Sequence, residues 1–321
     1  MDSLLPFLVV GLSVGAVYAL SGVGLVVLYR ASGVVNFAYG ALGGLAAMVC
    51  WQIIDLEYAD WMGWVAGIGS ATLLSWGYGR YIAPSLTHQD RVVRAMATLG
   101  FALMIMGIAQ WYWGDDPRRL VLPTDASGIE VDGRRLISHT RLLALLLAAG
   151  ATLGITWLLL KTPLGLRMRA LQSNRNLSAL IGVRIKRVDT WAWTLAGLLA
   201  GVSGLFMGNM VRLNPVVLTF LVIPAMAAAM VGRMNSLAIT VAGGLLIGVI
   251  EALTALEPSI QRYGSAAPSN SAVVRTWISR SLVVNSMLWP CLRISTLARI
   301  GNVCRRSTMP ETAWRAFSNF S

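Results

Sequence analysis

The sequence predicts an all-α integral membrane protein, a polytopic bundle of about eight transmembrane helices. Three observations carry this. Hydrophobic residues make up 56% of the 321 positions and charged residues only 12%, with a mean hydropathy of +0.66, far from soluble globular usage. Apolar stretches long enough to cross a bilayer core, about 20 residues as a helix, fill much of 4–256. Short polar connectors separate them, and the alternating segments of about 10 residues that mark a membrane β-barrel are absent. Helix follows because a lipid-exposed backbone has to satisfy its own hydrogen bonds.

The first apolar segment, 5–29, stops at Arg30. The second, 34–54, is closed by Asp55, Glu57 and Asp60, and the third, 61–83, carries Arg80 near its end. The fourth, 95–113, begins after Arg91 and Arg94. A mixed-charge connector, 114–140, leads to the fifth, 141–160. The purely basic connector 161–188 leads to the sixth, 190–211. The seventh, 216–232, is short and contains Pro224, which predicts a kinked, broken or re-entrant helix. The eighth, 236–256, ends before Glu257.

Connector charge sets the orientation. Lys161, Arg167, Arg169, Arg175, Arg184, Lys186 and Arg187 stand in 161–188 with no acidic residue, so this connector is expected on the cytoplasmic side. The connector 114–140 mixes five acidic with four basic residues and is expected outside. Counting outward from these two places Arg30, Arg80, Arg91, Arg94 and Arg233 inside and the N-terminus outside; only Arg212 falls on the disfavoured side. The net charge of +12 therefore reads as topology, and no nucleic acid partner is expected. Membrane lipid is. Cys50, Cys291 and Cys304 form no C-x-x-C and predict neither metal nor disulfide framework. No cleavable signal is expected, because Asp2 replaces a basic start and the first apolar run is too long.

Glycines recur four residues apart at Gly11/Gly15, Gly40/Gly44, Gly63/Gly67, Gly150/Gly154, Gly197/Gly201, Gly204/Gly208 and Gly244/Gly248. Without a hydrophobic drive between helices in lipid, such positions let backbones approach, and a tightly packed bundle is expected.

Three places hold residues of functional interest. In 161–188, Pro163 and Gly182 bracket a short helix with Leu166, Ala170, Leu171, Leu177 and Leu180 on or near one face. It suits either a partner's groove or anionic headgroups. Asn36 and Tyr39 follow the first span between Gly33 and Gly40, where polar side chains line a cavity or tie helices together. Glu251 is the one acidic residue well inside an expected span. It is placed to meet a substrate ammonium, pair with an arginine or reach the outer interface.

Catalytic signatures are missing. There is no G-x-x-x-x-G-K-[ST], H-E-x-x-H or G-x-S-x-G, so the chain is not expected to be an enzyme, to cradle ATP or to need a cofactor.

Several segments together resemble the LivH-like permeases of branched-chain amino acid ABC importers. They are Gly-Leu-Ser-Val-Gly-Ala-Val-Tyr-Ala-Leu at 11–20, Gly-Val-Val-Asn-Phe-Ala-Tyr-Gly at 33–40, Ala-Thr-Leu-Gly at 97–100, Thr-Pro-Leu-Gly-Leu-Arg-Met-Arg-Ala at 162–170 and Ala-Leu-Ile-Gly-Val at 179–183. The resemblance implies that 161–188 is a coupling loop docking on a separate ATPase subunit. Carried over, it points to Gly165, Arg167, Arg169, Ala170, Ala179 and Gly182. It further implies a second related permease, a periplasmic solute-binding protein and the inner membrane as location. The substrate would be a branched-chain or related amino acid, an amide or urea. Asn36, Tyr39 and Glu251 are then candidates for the translocation path, and Tyr39 stands where the family commonly has histidine. An ATP-independent channel or carrier is the alternative, and an intramembrane enzyme a remoter one.

The resemblance ends near residue 268. Residues 257–321 hold eight Arg, 11 Ser and two Glu, with no apolar run long enough to span. A permease domain over 1–268 is expected, followed over 269–321 by a frameshifted or otherwise foreign continuation. A divergent disordered tail is the alternative.

Overall fold

A computed structural model of the protein describes residues 4–116, 118–120, 128–131, 134–173, 175–180, 182–220 and 222–254. The expectations for the tail, 269–321, lie outside these residues.

Helix α1 (Leu4–Ser32) leads through a short loop into α2 (Tyr39–Asp55) and α3 (Asp60–Gly77). A π-helical turn, Tyr78–Ile82, and the one-turn α4 (Ala83–Ser85) extend α3 before α5 (Arg91–Trp113). Two short strands, β1 (Gly128–Val131) and β2 (Arg134–Ser138), pair antiparallel in the connector after α5, with an irregularity between Ile129 and Glu130. Then come α6 (His139–Lys161), α7 (Pro163–Ser173), α8 (Arg175–Leu180), α9 (Ile185–Met210), α10 (Pro215–Phe220), α11 (Val222–Val231) and α12 (Leu237–Thr254). Among the described residues, the regular structure is otherwise helical, with one isolated bridge between Arg118 and Leu213.

Among the described residues, five helices are long and apolar enough to cross a bilayer: Leu8–Ser32, Arg91–Trp113, Leu142–Lys161, Ile185–Met210 and Leu237–Thr254. The seventh apolar segment is helical as α10 and α11, on either side of residue 221, and Pro224 lies within α11.

Helices α1 and α9 form the buried centre. Helix α12 packs along α1, and α9 runs against α1, α2 and α3. The outward faces of α5 and α6 carry Leu103, Ile108, Trp111, Leu153 and Trp157, all exposed, as befits lipid-facing helices.

Six of the seven glycine pairs lie at helix contacts. A methyl group on Gly11, Gly15, Gly244 or Gly248 would overlap the facing helix across the α1–α12 seam. On Gly204 it would overlap the backbone of Gly43 between α9 and α2, and on Gly197 it would meet Ser75 of α3. Gly63 and Gly67 similarly face Cys50 and Ala46 of α2, while Gly40 faces the Thr219 carbonyl of α10. Gly150 and Gly154 of α6 are the exception, with nothing close by. Backbone proximity is the packing rule expected where lipid supplies no hydrophobic drive.

Hydrogen bonds group the helix ends into two sets that match the charge pattern. At one end, Arg94 at the start of α5 donates to the Ser32 carbonyl at 3.1 Å. There Thr98 Oγ1 accepts the Phe37 N–H at 3.1 Å. At the other end, Trp113 donates to Gln52 Oε1 at 3.0 Å. Here too Arg118 stacks over Trp51, 4.3 Å from the ring centroid, and exchanges backbone bonds with Leu213.

Candidate functional site

Two regions hold the residues singled out in the sequence: a narrow cavity in the centre of the bundle and the basic loop at one end.

The cavity lies between α1, α2, α9, α10 and α11. Gly40, Gly43, Gly44 and Gly204 line it together with Met207, Leu218 and Val222, which form apolar walls. Ser21, Tyr39 and Ser203 add hydroxyl-bearing side chains to the lining, and Tyr18 also borders it. The room open to water centres is about 20 Å³, enough for about one water molecule.

Tyr39 begins α2 and is 2% exposed. Its ring lies against Gly24, where a Cβ would collide with it, and its hydroxyl has Ser21 and Ser203 as polar neighbours. Asn36 does not line the cavity. It is buried three residues before α2, and its Oδ1 accepts the Ala38 N–H at 2.9 Å, an Asx turn that shapes the entry into the helix. Its Nδ2 is buried without a hydrogen-bond partner.

Glu251 turns inward from α12. The Tyr18 hydroxyl donates to its Oε2 at 2.9 Å. Tyr18 thus touches the cavity with one part of its side chain and holds the carboxylate with its tip. Its importance is invisible locally, because the two residues are 233 positions apart. Glu251 is also not alone as an inward acidic residue. Asp189 is 8% exposed on α9, which begins at Ile185, five residues before the span expected at 190.

In the basic loop, where a helix bracketed by Pro163 and Gly182 was expected, the described residues 163–173 (α7) and 175–180 (α8) are helical. The leucines do not share a face. Leu171 packs inward with Met168 and Gly165, and Ala170 is half-buried, while Leu166, Leu177 and Leu180 are exposed. Gly165 has to be glycine for this docking, since a Cβ would overlap the backbone of Leu159 in α6. Arg167 and Arg169 point to solvent. Ala179 lies within α8. Gly182 closes that helix at φ +85°, and the Val183 N–H bonds back to the Ser178 carbonyl at 3.0 Å, the helix-ending arrangement that favours glycine.

Sequence reasoning missed what α7 grips. Gln172 donates to Asn235 Oδ1 at 2.7 Å. Asn235 ends the turn between α11 and α12, and its carbonyl accepts a bond from Arg30 at the end of α1. In that turn Arg233 and Met234 both take left-handed backbone, φ +53° and +54°. Such conformations cost about 1–3 kcal/mol each and persist only where surrounding contacts hold them. Gln172 and Arg30 supply that hold, so α7 is tied to α1, α11 and α12 together.

Comparison with known proteins agrees with this architecture. The model of the family described as branched-chain amino acid transport system / permease component matches residues 7–277. The LivH high-affinity branched-chain amino acid transport permease of Escherichia coli K12 is 23% identical over 259 residues, covering 76% of this chain and 83% of that protein. The BraD permease of Pseudomonas aeruginosa is 24% identical over 263 residues, covering 77% and 85%. A probable LivH permease of Methanocaldococcus jannaschii is 26% identical over 250 residues, covering 73% and 76%. The chain belongs to the permease-component family of branched-chain amino acid transport systems.

Proposed function

We propose that this chain is the membrane-spanning subunit of an ATP-binding cassette importer that carries branched-chain amino acids, or related amino acids, amides or urea, across a bacterial inner membrane. The observation that carries the reading is the tie from α7 to the bundle. Gln172 holds Asn235, Asn235 accepts from Arg30, and Arg30 ends the same α1 whose Tyr18 and Ser21 line the central cavity. A force applied to α7 from the cytosol would therefore reach α1 directly.

In this scheme two ATPase subunits drive the cycle from inside, and 161–188 docks on an ATPase subunit through the exposed Arg167, Arg169, Leu166, Leu177 and Leu180. Buried Gly165 and half-buried Ala170, with Ala179 in α8 and the Gly182 cap, give this loop its shape. The permease pairs with a second related permease, and a periplasmic binding protein delivers solute to the outer face. The N-terminus stands outside. Tyr39 and Tyr18 border the path, Glu251 lies behind Tyr18, and Asn36 shapes the turn beside it. Apolar walls with a few convergent hydroxyls suit a small solute with polar and apolar parts.

Co-purification tests this. The full chain should retain an ATPase partner, and deleting 165–182 should release it while the protein remains in the membrane. Solute uptake by the chain alone in proteoliposomes would instead establish an ATP-independent carrier.

A further inference from the structure

A groove separate from the central cavity runs along the outside of the bundle between α3 and α9, with a volume of about 700 Å³. Its walls are Leu73 and Trp76 from α3 and Trp191 from α9, exposed by 66%, 40% and 56%. Three threonines also line it, yet their hydroxyls are already occupied. Thr72 donates to the Ile68 carbonyl at 2.7 Å, Thr190 to Lys186 at 2.8 Å and Thr194 to Thr190 at 2.8 Å. The lining therefore offers carbon, and its polar groups ask for no further partner.

Both arginines of the groove stand at one end of it. Helix α3 arrives there and α9 departs, so Arg80 and Arg187 line the same end although 107 positions separate them in sequence. Arg80 sits in the π-helical turn Tyr78–Ile82, which is anchored from inside by Tyr78 stacking on Trp193, ring centroids 4.4 Å apart. Neither guanidinium has a side-chain partner among the described residues, and no acidic residue lines the groove. From the arginines to Thr72 and Thr194 is about two helical turns, roughly 10–12 Å. Exposed Tyr81 meets Trp76 edge-on at 6.1 Å beside the arginine end, a pairing suited to the headgroup level of a membrane.

We infer that this groove binds one anionic phospholipid, its phosphate between Arg80 and Arg187 and an acyl chain along Leu73, Trp76 and Trp191. Basic pockets between membrane helices on the cytoplasmic side recognise acidic headgroups in this way. The apolar walls select a lipid over a free anion. The inference stands apart from the transport reading and needs only that the bundle sits in a bilayer.

The test uses the purified full-length chain in detergent, titrated with phosphatidylglycerol, phosphatidylcholine or inorganic phosphate, with binding read by native mass spectrometry. Phosphatidylglycerol should bind selectively. Arg80→Gln or Arg187→Gln should each weaken it about fivefold and the pair about 30-fold, one arginine near an acidic headgroup being worth about 1 kcal/mol. Arg80→Lys with Arg187→Lys should retain binding, and Arg212→Gln, at the opposite end, should leave it unchanged. Equal binding of phosphatidylcholine, full competition by inorganic phosphate, or undiminished phosphatidylglycerol binding in the double Gln variant would overturn the inference. So would a disulfide formed between Trp191→Cys chains, which would make the groove an interface between copies.

Discussion

Glu251 Oε2 of α12 accepts the hydroxyl proton of Tyr18 of α1 at 2.9 Å, across the glycine-lined seam where the two helices lie closest. The bond turns a half-buried carboxylate toward the bundle, so the inward orientation of Glu251 depends on a residue in the first helix.

Tyr18→Phe removes the donor and should lower stability in detergent by about 1 kcal/mol, the scale of a polar contact between membrane helices. Thermal unfolding reads this directly. Glu251→Gln keeps an acceptor for Tyr18, so it should unfold near wild type while taking up solute more slowly, because the negative charge behind the cavity is gone. Equal uptake would reduce Glu251 to a structural anchor.

The loop between α1 and α2 depends on one hydroxyl of α5. Thr98 Oγ1 accepts the Phe37 N–H at 3.1 Å and donates to the Ala95 carbonyl at 2.7 Å. Thr98→Val keeps the shape but strands that N–H, which should destabilise the protein by about 1–3 kcal/mol. Thr98→Ser should behave like wild type in the same unfolding measurement. Matched melting of all three proteins would show the bond to be dispensable.

Gly204 and Gly150 make an internal control for the packing rule. Gly204→Ala forces α9 away from the Gly43 backbone and should lose about 1–3 kcal/mol. Gly150→Ala enters open space on α6 and should be neutral or stabilising by up to about 1 kcal/mol, since alanine is the better helix former. Similar losses at both positions would mean that proximity is not what these glycines provide.

For the tie between α7 and the bundle, Gln172→Leu and Asn235→Ala should each reduce ATP-driven uptake severalfold while the ATPase partner still co-purifies. The double variant should be no worse than the more affected single one, because both changes break the same 2.7 Å bond. Additive losses in reconstituted vesicles would place the two residues on separate routes.

The helices were legible because hydropathy is local: each apolar segment expected from the sequence is largely helical within the described residues, although the second, expected from 34, begins its helix at Tyr39. Gly182 was legible for a similar reason, its backbone need being met within one turn. Contacts between distant residues were not. Nothing near Tyr18 announces Glu251, nor Gln172 Asn235, because each pair is created by how the helices stack. The cavity escaped for a subtler reason: four of its lining residues are glycines, and a run of small residues reads equally as packing. The leucines of 161–188 misled because spacing alone does not show which of them meets the bundle: Leu171 is buried, whereas Leu166, Leu177 and Leu180 are exposed.

The glycine contacts between α2 and α9 and between α1 and α12 have a mechanical consequence. Elsewhere in a protein core, interlocked side chains resist sliding, since each must climb out of its neighbour's hollow. Where Gly204 lies on Gly43 and Gly248 on Gly15, two smooth backbones meet with no knobs to disengage. Such a seam acts as a slip plane. The bundle can resist separation in lipid and still permit small axial shear, a motion that would reshape the cavity of about 20 Å³ without unpacking the helices around it.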